Sequence, residues 1–345
     1  MSEGPELTIL IGSFLEEDLV ARIAAAQPDA RVIYEPDLLP VPQYPCDHTG
    51  PARVLSDADL TRWKELGAQA AVYFDFDWFE PAEIATRCPH LRWIQATSAG
   101  IGGFMQRTGL DRTRLQVTTA AGIHAIPLAE FALTGALHFV KGVPQLREWQ
   151  TAHQWERHTT RQLAGLRALV VGLGGVGRRV ASSLAGLGVE VWGLGREGSV
   201  YDADGVSRVV TRPELDRVLP ATDIMVLACP LTEETRGLIG RAQLGLLPSG
   251  AVLVNVARGA VVDQEALIDG LRAGRIGGAC LDVFDDEPLP TDSPLWDMDN
   301  VIVSPHSAST VSTENASLVD LFMDNLDRFV EGRPLRNLYD RARGY

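Results

Sequence analysis

Short apolar runs rich in β-branched residues alternate along the chain with segments of helical period. In the first third, LTILIGS (7–13), ARVIYE (30–35), AAVYFDFD (70–77), RWIQATSAG (92–100) and LQVTTAAG (115–122) read as strands. Segments 15–26 and 81–87 read as helices between them. Apolar strands separated by helices imply a parallel sheet covered on both faces. The Pro-rich polar stretch 40–52 reads as a loop.

The run IPLAEFALTGALHFV (126–140) is apolar on nearly every side. A helix of that kind is expected to be buried all round, between domains or between subunits. Residues 141–161 are polar, carry Trp149 and Trp155, and read as an exposed connection. A second alternating block follows, with strands expected at 168–174, 189–195, 207–211, 224–229, 251–257, 277–284 and 301–306. The tail 311–332 has Leu318, Phe322, Leu326 and Phe329 on one helical face. It is too short to be a domain, so it should pack back onto the first block, making the second block an insertion.

Composition narrows this picture. The chain has 345 residues, about two domains at ~150 residues each. It is 46% hydrophobic and 22% charged, which is globular. Lys plus Arg number 31 and Asp plus Glu 45, for a net charge of −14. So acidic a surface argues against binding nucleic acid or an anionic membrane, while leaving room for a local basic pocket. The four cysteines, 46, 88, 229 and 280, form no C-x-x-C pair or zinc-like cluster. They read as reduced thiols in a cytoplasmic protein, and no metal is expected. The opening MSEGPELTILIG lacks a basic segment before its apolar run, so no signal peptide is expected. Nor is there an uninterrupted apolar run long enough to span a membrane.

Residues 172–177 read GLGGVG, after a strand and before an amphipathic helix at 176–187. In that context a G-x-G-x-x-G is a pyrophosphate turn. Gly172 permits the tight turn, Gly174 admits the phosphates, and Gly177 lets helix pack on strand. Gly175 and Val176 open the helix, whose N–H groups and dipole face the anion. The next strand ends VWGLGREGS, with Gly195 where an NAD site needs a ribose-binding carboxylate, followed by Arg196. A guanidinium fork suits a 2′-phosphate, so NADP(H) is favoured, with Arg196 and Ser199 on the phosphate. Glu197 could turn toward the ribose, which keeps NAD(H) open.

Three polar residues follow late apolar strands: Arg258, Glu287 and His306. Singly, each has an ordinary reading as a surface charge, a solvated turn or a turn histidine. The words around them, NVARGAVVDQEAL, GGACLDVFDDEPLP and SPLWDMDNVIVSPHSAST, resemble the D-isomer-specific 2-hydroxyacid dehydrogenase family over about 92–332. The nearest resemblance is to its glyoxylate/hydroxypyruvate reductases.

The resemblance implies an α/β protein of two doubly wound parallel-sheet domains. A Rossmann cofactor domain, 122–310, would be inserted into a flavodoxin-like substrate domain, 1–121 with 311–345, with the active site in a cleft that closes to exclude water. It implies hydride transfer between a nicotinamide cofactor and a small 2-oxo or D-2-hydroxy acid. Arg258 would bind the substrate carboxylate and polarise the carbonyl, His306 would be the acid/base, and Glu287 would orient that imidazole. Formate dehydrogenases of the wider group carry an amide at the Glu287 position, which argues against that activity. Ser98, Ala99, Gly100 and Ile101 match a turn whose N–H groups hold the substrate carboxylate, although the Asp that often follows is missing here. Cys229, Pro230, Leu231, Thr232 and Thr235 match the adenosine side of the cofactor. Val256, Ala257 and Asp282 match the nicotinamide side, where the segment from His306 to Ala308 also belongs. Asp282 has a structural reading too, as a strand-end acid.

Other residues are left with ordinary roles. His124 reads as a helix-start residue, Glu130 as a packing and local hydrogen-bonding residue, and Trp155 as a specificity or interface element. His48, His90, His153 and His158 show no partner in the sequence. The apolar run 126–140 suggests a homodimer. The competing readings are a 3-phosphoglycerate dehydrogenase, which the end of the chain at Tyr345 and Arg196 make less suitable, and an NAD(P)-sensing binding protein on the same fold.

Overall fold

The computed structural model describes residues 7–48, 50–51 and 53–344. Met1, Ala52 and Tyr345, which bound expected segments, lie outside the described residues. The chain divides into two compact units, residues up to His124 with those from Thr310 onward, and Ala125–Ser309.

The first unit carries strands β1 (Thr8–Ile11), β2 (Arg31–Ile33), β3 (Val72–Phe74), β4 (Trp93–Gln95) and β5 (Gln116–Thr118). They form an all-parallel sheet in the order β2-β1-β3-β4-β5, the flavodoxin-like arrangement. Helices α1 (Glu17–Ala26), α2 (Asp57–Gln69), α3 (Ile84–Arg87) and α4 (Gly102–Thr108) connect them. Alternate strand residues enter opposite cores: Leu10 joins one, Ile9 and Ile11 the other. The second strand covers only three residues and 81–87 splits into a 3-10 turn and the one-turn α3. Propensity marks such elements, but tertiary hydrogen bonding sets their ends.

The second unit begins with α5 (Ala125–Val140) and α6 (Val143–Thr151). Its strands are β6 (Arg167–Val171), β7 (Glu190–Leu194), β8 (Val206–Val210), β9 (Ile224–Leu227), β10 (Ala251–Asn255), β11 (Ile276–Leu281) and β12 (Val301–Val303). Helices α7 (Gly175–Gly186), α8 (Leu215–Val218), α9 (Arg241–Leu246) and α10 (Gln264–Arg272) lie between them. The sheet is parallel throughout, ordered β12-β11-β10-β9-β6-β7-β8. Chain order reverses direction at β6, which pairs with β7 on one side and β9 on the other.

One expectation needs correction. Residues 141–161 are not simply a connection, because Val143–Thr151 is helical. Leu146 and Trp149 give it a weak apolar side, hidden in the sequence by the polar residues around them. The apolar helix α5 buries Ala129, Ala132, Gly135 and Ala136, while Ile126 is 50% and Leu137 39% exposed on the single chain. Small residues let the buried face lie close to the sheet. A Cβ on Gly135 would stand 2.5 Å from Cys280 Cβ.

The tail forms α11 (Glu314–Val330) within the first unit. Leu318, Phe322 and Leu326 are fully buried with Ile9, Ile11 and Phe74. The Phe322 ring stacks on Trp93 with centroids 5.1 Å apart. Truncating such a ring to alanine costs about 3–5 kcal/mol, so the last helix is part of this core. Among the described residues no single helix is long and apolar enough to cross a membrane.

Candidate active site

Every candidate in the second unit follows the carboxyl end of a strand. Because all seven strands are parallel, these positions share one edge of the sheet. Open α/β sheets bind ligands at that edge, beside the point where strand order reverses. The glycine turn follows β6, at the reversal. Gly172 has φ +94, and a Cβ there would lie 2.7 Å from Cys229 Cα. At Gly177 a Cβ would stand 1.8 Å from Gly172 O. Both glycines are therefore demanded by the fold. Gly174 differs: nothing lies within 4 Å of a Cβ placed there, so its open side suits a ligand's approach. Gly174 and Gly175 are exposed, Val176 is half-buried, and no side chain caps α7. The first N–H groups of that helix have no intrahelical partner, which fits a pyrophosphate.

The loop after β10 is built by Asn255. Its amide donates to Arg258 O at 3.1 Å, and its Oδ1 accepts from Ala257 N at 3.0 Å. Gly259 lets that loop touch the one after β11, since a Cβ there would stand 1.9 Å from Phe284 C. Phe284 N in turn donates to Glu287 Oε1 at 3.0 Å. Glu287 Oε2 lies 2.7 Å from His306 Nδ1. Burial works to lift the Glu287 carboxyl, but the His306 ring, the Phe284 N–H and the Arg258 charge outweigh it and hold it below its usual range. A carboxylate only accepts, so Nδ1 carries the proton and Nε2 is left for other partners. Arg258 is half-buried. Burial lowers its hold on the proton, and the charges of Glu287 and Asp282 oppose that effect.

His306 has φ +54, a left-handed conformation that costs a histidine about 1 kcal/mol or more. Asp282 holds it there. Its Oδ1 accepts from Ser304 Oγ at 2.6 Å and from Ala308 N at 2.9 Å, on either side of His306. Burial raises the Asp282 carboxyl despite those bonds. The strand-end reading of Asp282 thus has a concrete basis.

Several other candidates have covered side chains or lie in turns. Val256, Ala257 and Cys229 are at most 7% exposed and sit in the core. Thr235 Oγ1 donates to Pro230 O at 2.7 Å and accepts from Thr232 N at 2.7 Å, closing the turn that exposes Pro230. In the first unit Ile101 is 3% exposed and packs in the core, while Ala99 is half-buried and Gly100 exposed. Arg196 is exposed, with its N–H 2.9 Å from the hydroxyl of Tyr201, a residue the sequence did not single out.

His48 finds a partner only in the fold: its Nδ1 lies 3.0 Å from Ser13 Oγ, both buried, beside the buried Asp75. The pairing spans 35 positions and leaves no trace in local sequence. His158 also has a neighbour, its ring 4.7 Å from that of Trp149. Glu130 is exposed and so does no packing within the chain. His124 precedes α5 and bonds Glu314 Oε1 at 2.9 Å. Trp155 is 94% exposed. A cavity of about 420 Å³ lies near the other edge of the second sheet, lined by Arg161, Gly250, Val252 and Gly277, away from the strand ends that carry the candidates. Among the described residues no cluster could hold a metal.

Residues 133–308 match the family described as D-isomer specific 2-hydroxyacid dehydrogenase, NAD binding domain. A solved D-isomer specific 2-hydroxyacid dehydrogenase of Xanthobacter autotrophicus Py2, in complex with NADPH and MES, is 32% identical with a TM-score of 0.79. The match covers 99% of this chain and 100% of that one. An NADPH-dependent glyoxylate/hydroxypyruvate reductase of Sinorhizobium meliloti, solved with NADP and sulfate, is 25% identical with a TM-score of 0.77. It covers 98% of this chain and 100% of that one. A glyoxylate reductase of Korarchaeum cryptofilum is 32% identical over 269 residues, 75% of this chain and 79% of its own.

Proposed function

The chain belongs to the D-isomer specific 2-hydroxyacid dehydrogenase family, and on that premise we propose that it reduces a small 2-oxo acid to the D-2-hydroxy acid with NADPH. The observation that carries this reading is the 2.7 Å contact between Glu287 and His306 beside a half-buried Arg258. A bound reduced nicotinamide supplies the hydride. Arg258 provides a charged, planar donor pair for the substrate carboxylate and polarises the neighbouring carbonyl. His306 gives its Nε2 proton to the carbonyl oxygen as negative charge develops there. Glu287 fixes the ring through Nδ1 and so leaves Nε2 for the transfer. In the reverse direction the same nitrogen takes the hydroxyl proton.

The second unit is proposed as the cofactor domain and the first as the substrate domain, with the Ala99, Gly100 and Ile101 turn offering N–H groups to the carboxylate. Arg196 without a carboxylate at Gly195 favours NADPH over NADH, as do the NADPH and NADP reported with the Xanthobacter and Sinorhizobium proteins. The exposed apolar side of α5 supports a homodimer, and free, buried cysteines suit the cytoplasm. Light scattering at micromolar concentration tests the first: a monomer would refute the dimer.

The deciding experiment follows loss of reduced-nicotinamide absorbance with glyoxylate, hydroxypyruvate, pyruvate and phenylpyruvate, using NADPH and NADH in parallel. Turnover with NADPH that disappears in His306→Ala supports the reading. Cofactor binding without turnover of any of the four refutes it and favours a nucleotide sensor.

A further inference from the structure

The end of β7 holds an arrangement that the glycine turn and the catalytic group do not explain. A Cβ on Gly195 would stand 2.4 Å from Tyr201 Cε2 and 3.0 Å from two further atoms of that ring. The ring therefore fills the space that any side chain at position 195 would enter. Gly195 is fixed from the other side too, since its N–H donates to Val210 O at 3.0 Å. The chain cannot simply move away from the ring.

The Tyr201 hydroxyl is equally placed. The Arg196 N–H donates to it at 2.9 Å, and the side chains of Arg196 and Ser199 also bond it. Burial works to raise the phenol, but these donors outweigh it and hold it below its ordinary range. An oxygen receiving several donors has its own proton left to give. With the Ser199 proton spent on that oxygen, the donors left facing outward are the phenol proton and the remaining N–H groups of the guanidinium. Such a set suits an acceptor-only anion better than a ribose hydroxyl, which must also donate.

We propose that Tyr201 is a positioning and specificity residue for the adenosine 2′-phosphate of NADPH, its ring barring a carboxylate at Gly195 and its hydroxyl holding Arg196 and Ser199 together. This rests on the reading that Arg196 selects NADPH. The two parts of Tyr201 make different demands. The ring excludes the acidic residue that would repel a 2′-phosphate and bind the free ribose. The hydroxyl orders two flexible side chains before the ligand arrives, which lowers the cost of binding. Converting the site to NADH preference consequently requires two changes, not one: Gly195→Asp alone meets the ring, whereas Gly195→Asp with Tyr201→Ala makes room.

The test measures binding by calorimetry, with NADPH, NADH and adenosine 2′,5′-bisphosphate as probes, so that turnover is not needed. Loss of a hydrogen bond to a charged group predicts about tenfold weaker NADPH and bisphosphate binding in Tyr201→Phe, with NADH unchanged. Gly195→Asp gains no NADH affinity, while Gly195→Asp/Tyr201→Ala gains about tenfold or more. Unchanged or tighter NADPH binding in Tyr201→Phe overturns the proposal, as does an NADH gain in Gly195→Asp alone. Thermal melts accompany each variant, and if Gly195→Asp does not fold, Tyr201→Phe decides. Arg196→Ala separates the two levels. If it leaves the NADPH to NADH affinity ratio unchanged, the cofactor reading fails and takes this proposal with it. If it lowers the ratio and Tyr201→Phe does not, the role of Tyr201 alone fails.

Discussion

Glu287 Oε2 and His306 Nδ1 lie 2.7 Å apart, joining the loop after β11 to the loop after β12. They lie 19 positions apart in sequence. Their contact requires parallel neighbouring strands that end at the same edge, and β11 and β12 provide that. It also decides which imidazole nitrogen is available, since Nδ1 is taken.

Catalysis should therefore respond unequally to three substitutions. His306→Ala removes the proposed proton donor and should lower kcat about 10²–10⁴-fold. Glu287→Gln keeps a hydrogen bond but not the charge, so its loss should be smaller and its pH profile shifted. Arg258→Lys replaces a fork with a point charge and should weaken kcat/KM about 10–150-fold, chiefly through KM. Steady-state kinetics with glyoxylate and hydroxypyruvate would read all three, and an unaffected Arg258→Lys would contradict its role.

Acid stability should report the same contact. The Glu287 carboxyl is held below its usual range in the fold. A depressed folded value means stability that is present above the ordinary carboxylate range and lost as pH falls through the folded value. The urea midpoint of the native protein should thus drop more steeply between pH 5 and pH 3, on the order of that carboxylate range, than that of Glu287→Gln. Parallel curves would show that the pair does not contribute.

Asp75 should behave with the opposite sign. It is 1% exposed at φ +69, and burial raises its carboxyl despite the nearby His48, the Phe76 N–H and the Trp78 indole. A raised folded value means that the charged form disfavours the fold, so stability falls as pH rises above the ordinary carboxylate range. Asparagine tolerates the left-handed conformation and can keep the Trp78 bond. Asp75→Asn should melt at or above the native temperature at pH 8, with the advantage shrinking toward pH 4.

The glycine turn should separate folding from binding. Gly177→Ala forces a Cβ to within 1.8 Å of Gly172 O and should destabilise by about 1–3 kcal/mol or prevent folding. Gly174→Val meets nothing within 4 Å of its Cβ, so the melting temperature should stay nearly constant while cofactor affinity collapses. Equal losses of stability in both would refute the distinction.

Thiol chemistry gives a simple check of the cores. Cys46, Cys88, Cys229 and Cys280 are all buried, and burial pushes Cys229 up to about 11 and Cys280 up to about 12. Thiolates are the reactive form, so Ellman's reagent should find these two almost unreactive until denaturant is added.

Period and punctuation in the sequence alone determined the two blocks of parallel strands, the glycine turn between β6 and α7, and the strand-end positions of Arg258, Glu287 and His306. Those signals are local: a β-branched run, a glycine spacing, a polar residue just beyond an apolar segment. They fix which groups reach one edge once the strands run parallel. Only the tertiary structure decided what those groups do to one another. It set the Asp282 bonds that hold His306 in a left-handed turn, and the approach of Phe284 that demands Gly259. It buried Ser13, His48 and Asp75 together, and it laid the Tyr201 ring against Gly195. In the sequence Gly195 reads only as a missing carboxylate. In the fold an aromatic ring occupies the space a side chain there would need, a relation between loop and strand that packing alone creates.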